Sequence, residues 1–199
     1  MVAAAKTYVN ELNWTVVAAG VQGGETTIDF STSLVSGLSI TVCPIEAVAH
    51  ALGTLVQVFG HSNGAAEDDY LLYEIRLGAG TANAEVVGSE AASGQGTILV
   101  ASTTEFETLG DRYLIHNTVS AGDSEIVRNA GFNNDVSITT WSNLVNTQQS
   151  ASSVLYNIVA EKYFPIPNDV SYVRVMFLND DADCDVLVRV IASRITGVA

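Results

Sequence analysis

Short runs of β-branched and aromatic residues recur along this chain, and each is closed by a cluster of Gly, Asn, Asp or Ser. The runs cover residues 14–18, 26–30, 38–42, 54–59, 70–77, 97–102, 112–118, 136–141, 171–178 and 184–195. The separators include GVQGG, GAGTANA, GSEAASGQG and NAGFNND. Runs of this length cross a small domain as strands but are too short for the long amphipathic helices of a bundle. Many short strands with turn chemistry between them are the pattern of a sandwich or barrel. The expected fold is therefore all-β, a β-sandwich or jelly-roll-like architecture with one or two short helices.

Two stretches compete with the strand pattern. In PIEAVAHAL, Pro44 suits a first helical position, and Ile45, Val48, Ala49 and Leu52 follow the spacing of one helical face, which predicts a short helix over 44–52. In SSVLYNIVAEKYF both periods fit, and the β-branched content tilts the reading to strand. A chain of 199 residues can bury one full-sized core. We expect residues 1–199 to form a single β-sandwich domain with a loosely ordered N-terminal arm.

The last motif, SYVRVMFLNDDADCDVLVRVIASRIT, carries four aspartates around a cysteine. On a strand period, Val173, Val175 and Phe177 share one face, as do Val186, Val188, Val190 and Ala192. These two arms are expected to pair as a hairpin facing one core, with the turn within 180–184. The register should avoid setting Arg174 directly opposite Arg189. Asp181, Asp183 and Asp185 give D-x-D-x-D, the opening of a calcium loop, and are the candidate metal ligands. However, Val186 stands where that loop needs Gly, and Ala192 where it needs a bidentate Glu. A solvated acidic turn is the favoured reading, and no metal or other cofactor is implied.

Other chemistry is sparse. His50, His61 and His116 sit in no motif with a serine, no two Cys or His residues stand at zinc spacing, and GAGTAN and SGQGT lack the lysine of a phosphate loop. No catalytic residue is assigned, and an enzyme is not expected. Glu67, Asp68 and Asp69 read as a charged lead-in to YLLYEIRL. Trp14, Trp141 and Tyr163 are the aromatics that could stack on a sugar, although Trp in a sandwich is more often core. Cys43 and Cys184 are expected to be free, partly buried thiols.

Composition narrows the partners. Eight Lys and Arg against 22 Asp and Glu leave a formal net charge of −14, which opposes binding to nucleic acid or to an anionic membrane. MVAAAKTYVNELNW does not read as a secretory signal, and the longest uncharged stretch is too short to span a bilayer. Charged residues are only 15% and hydrophobic ones 48%, which suits a subunit packed against neighbours.

The pair VSYVRVMFL and DVLVRVIASRI, with closely spaced Thr, Ser and Asn turns, resembles the β-rich structural proteins of bacteriophage particles. The resemblance implies a capsid or capsid-decoration subunit located in the virion and assembled in the host cytoplasm. Its partners would be copies of itself and a capsid or other virion protein. The other readings are a tail-tube subunit with an acidic lumen, a lectin-like sandwich and a carboxylate-dependent hydrolase.

Overall fold

The computed structural model describes residues 5–30, 34–61, 69–106, 108–133, 136–150 and 152–196, and their regular structure is almost entirely antiparallel strand. In chain order they are β1 (Ala5–Val17), β2 (Val21–Asp29), β3 (Leu34–Pro44), β4 (Ala49–His50), β5 (Thr54–His61), β6 (Tyr70–Leu77), β7 (Gly80–Thr81) and β8 (Ala84–Val86). Then come β9 (Thr97–Leu99), β10 (Arg112–Asn117), β11 (Glu125–Asn133), β12 (Ser137–Thr140), β13 (Ser153–Tyr156), β14 (Ala160–Pro165), β15 (Tyr172–Asn179) and β16 (Val186–Thr196). The all-β expectation holds, as does the strand reading of SSVLYNIVAEKYF, which forms β13 and β14.

Two four-stranded sheets face each other, one ordered β1-β16-β3-β14 and the other β2-β15-β5-β6. Inward residues of both fill one core: Val17, Leu38, Ile40, Val42 and Val186 to Ala192 at alternate positions from the first, and Ile28, Val56, Val58, Val173, Val175 and Phe177 from the second. The sequence between β6 and β14 builds a third sheet, ordered β8-β13-β10-β11-β12-β9. It lies on the outer face of the first sheet, where Trp14, Cys43 and Leu187 pack against Leu114 and Tyr156. Its other face buries Tyr113, Ile115, Val127, Ile98, Ile138 and Leu155 under Val87, Phe106 and Leu144. The molecule is thus three sheets deep. A two-stranded ribbon, β4-β7, joins Ala49–His50 to Gly80–Thr81.

Two expectations are corrected. Residues 44–52 form bends and the short β4 rather than a helix, because Ile45 turns into the cluster between the first and third sheets while His50 pairs with Gly80. The helical turn described is a single 3-10 turn at Ala121–Asp123. The C-terminal arms also do not pair with each other. β15 lies between β2 and β5, and β16 between β1 and β3, so the acidic turn crosses from one sheet to the other. The faces were nonetheless read correctly, since Val175 and Phe177 share a core with Val186 and Val188. Alternation places residues on a face, and two arms that both face the core fit as well across a sandwich as beside each other. Residues 1–4 of the expected N-terminal arm lie outside the described residues, and from Ala5 the chain is strand.

Candidate functional site

The acidic turn is a structural junction. Asn179 is fully buried at the end of β15, and its Nδ2 donates to the carbonyls of Val17, Ala18 and Cys184 at 3.3, 3.2 and 2.7 Å. Asp180 receives two hydrogen bonds from the Arg76 guanidinium at 2.9 and 2.7 Å. Asp181 accepts from the backbone N–H of Asp183 at 3.0 Å and of Ala51 at 3.3 Å, and its Oδ2 lies 3.3 Å from Nδ1 of His50. Asp185 accepts from the N–H of Ala19 at 2.8 Å. The bonds from Arg76 hold the Asp180 carboxyl below its usual range, and the Asp183 N–H, followed by His50, does the same for Asp181.

These carboxylates therefore point at separate partners rather than at one centre. Among the described residues, no group of three or more His, Cys, Asp or Glu side chains is placed to hold a metal ion. Sequence reasoning did not connect Arg76 or His50 to this turn, or Asn179 to the end of β1, because the partners Asp180, Asp181 and Val17 lie 104, 131 and 162 positions away and leave no local pattern. The two thiols are free and buried, and burial raises Cys43 to about 12 and Cys184 to about 11. Both are thereby kept as unreactive thiols at neutral pH.

The other histidines are equally embedded. His61 stacks on Tyr172 with ring centroids 5.1 Å apart, and its Nε2 is 3.7 Å from Asp69, which also pairs with Arg174. Glu67 and Asp68 of that acidic group lie outside the described residues. Nδ1 of His116 is 3.2 Å from Oγ of Ser124, which accepts from the N–H of Asn117 at 3.0 Å. Both His116 and Ser124 are buried. Burial holds the His116 pKa below its ordinary value.

The three aromatics separate. Trp14 is core, with the Arg189 guanidinium 4.3 Å above its ring. Tyr163 is half-exposed on β14 and donates to the carbonyl of Ser36 at 3.0 Å. Trp141 is 65% exposed and stacks on Arg128 at 4.5 Å. Thr140, the residue before it, donates its N–H to the carbonyl of Gly96 at 2.9 Å, and Gly96 lines an open groove of about 350 Å³ with Ser89, Glu90, Ala91, Gln95, Thr97 and Leu99. The groove's one carboxylate, Glu90, accepts from Gln149 Nε2 at 2.9 Å.

No family model and no curated protein matches the chain. Solved structures give faint likenesses. A carbohydrate esterase from Shiga toxin-encoding bacteriophage phi24B is 11% identical, with a TM-score of 0.25 over 96% of this chain and 90% of that one. VP17, a capsid protein of bacteriophage P23-77, is 9% identical, with a TM-score of 0.20 over 99% of both chains. A structure of infectious bursal disease virus, Gx strain, is 12% identical, with a TM-score of 0.18 over 96% of this chain and 40% of that one. Viral proteins thus occur among the faint neighbours, at similarities too low to establish kinship.

Proposed function

We propose that the protein is a structural subunit of a virus particle, a capsid or capsid-decoration protein, that acts by self-association and lattice contacts rather than by catalysis. The observation that carries this reading is the wiring of the sandwich. The facing orders β1-β16-β3-β14 and β2-β15-β5-β6 match the strand order of an eight-stranded jelly roll, with the third sheet inserted between its fifth and sixth strands, β6 and β14. Jelly rolls build viral capsids and also lectin domains. The large acidic charge favours protein partners over nucleic acid, and the proposed role would place the protein in the virion, with assembly in the host cytoplasm.

A second reading, a lectin-like domain, is favoured by Trp141, an exposed ring at the end of β12, the strand that pairs with groove-lining β9. Sedimentation velocity over a wide concentration range, with electron microscopy of the concentrated protein, tests the first reading. Discrete oligomers or lattice fragments are expected. A strict monomer that is also absent from purified particles would overturn it, and saturable binding of a neutral oligosaccharide abolished by Trp141→Ala would favour the second.

A further inference from the structure

β1 is longer than the sandwich needs. Its second half packs, with Trp14 and Val17 buried, but every residue from Ala5 to Asn10 is exposed. A typical strand has five or six residues, so β1, at 13, extends well beyond what its core requires. It is the terminal strand of its sheet, and among the described residues no strand pairs with its outer edge. Tyr8 is 71% exposed there, and Leu34 and Tyr163 on the same sheet are also exposed. An open edge of this kind is a template for another strand.

Charge says which body can dock on that edge. Two chains of net charge −14 repel, so contact between copies is favoured at a surface without free carboxylates. The segment from Lys6 to Asn10 has none, and the next residue, Glu11, is neutralised by Arg194 at 2.9 and 2.6 Å. The segment also complements itself. A two-fold axis perpendicular to the sheet keeps each residue on its own face, so antiparallel partners must be an even number of residues apart. The pairing that uses the whole segment is centred on Tyr8. It sets Tyr8 against Tyr8, Thr7 against Val9, and Lys6 against Asn10, which gives an aromatic cross-strand pair and no like-charge pair.

We infer that two copies of this chain join edge to edge through β1, centred on Tyr8, to make one continuous eight-stranded sheet across a two-fold axis. The inference rests on the reading that the chain associates with itself, and it names the surface used.

The test is a Tyr8→Cys variant. The native thiols are buried, so the new one is the accessible thiol, and opposed positions in such a pair are close enough for a disulfide. Mild oxidation should give covalent dimer as the main product, whereas Val119→Cys, at an equally exposed loop position, should stay monomeric. In the otherwise native chain, Tyr8→Lys should dissociate the dimer in sedimentation velocity while leaving the far-ultraviolet circular dichroism spectrum unchanged. If Tyr8→Cys forms no more dimer than Val119→Cys, or the oligomer survives Tyr8→Lys, the β1 interface is wrong and self-association stands. If the wild-type chain is a monomer throughout, both fall.

Discussion

Asp181 and Asp183 stand two residues apart in one turn, yet they do different work. Asp181 gathers two backbone N–H groups and faces buried His50, while the Asp183 side chain is exposed. Asp181→Asn should therefore lower the melting temperature and Asp183→Asn should not, and calcium or a chelator should leave the melts of all three proteins unchanged. The sequence showed an acidic turn but not this division, because the partners of Asp181 include residues 130 and 131 positions away.

His116 gives a pH dependence with a definite sign. Its folded pKa lies below the unfolded value of about 6.5, so between the two the unfolded chain binds more protons and stability falls as the pH drops. Its contribution is complete above about pH 6.5. Asp180 and Asp181, with folded pKa values below the unfolded range, lose theirs only when the pH falls through about 4 and below. Urea melts at pH 7.0 and 5.5 should show His116→Asn losing less stability on acidification than the native chain.

At the scale of elements, β16 explains why DVLVRVIASRI is apolar on both faces. Val186, Val188 and Val190 enter the sandwich core, while Leu187 enters the cluster beneath the third sheet. The sequence marked which residues of this strand face the core, but the hairpin inferred from it was wrong because periodicity carries no information about neighbours. Val188→Asp would place an unpaired charge in a fully buried site, and should cost about 4 kcal/mol or more in chemical denaturation. Gly37 makes a subtler point. A Cβ there would stand 2.6 Å from the carbonyl oxygen of Phe164, the residue on β14 opposite Leu38. Gly37→Ala should cost about 1–3 kcal/mol. Gly131→Ala, which meets nothing within 4 Å, should stay within about 0.5 kcal/mol of the native chain.

At the scale of the whole molecule, the fold class was legible because turns and β-branched runs are local signals. The third sheet was not, since its strands are as short as Ala84–Val86 and Thr97–Leu99 and they draw partners from distant segments, as when β8 pairs β13. The 44–52 segment shows the same limit in reverse. Its helical spacing was real, but Ile45 and His50 found partners on the first and third sheets and on β7 that no local pattern announces. The proposed role rests on wiring, and the decisive link is the crossing of the chain from β15 to β16 between two sheets. Amide-to-amide NOEs in the perdeuterated protein read that link directly. The wiring predicts cross-strand contacts between the segments of Val175 and Val58 and between those of Val188 and Val42, with none between β15 and β16. A ladder of NOEs running from Arg174–Leu178 to the strand that begins at Val186 would show a hairpin instead and would contradict it.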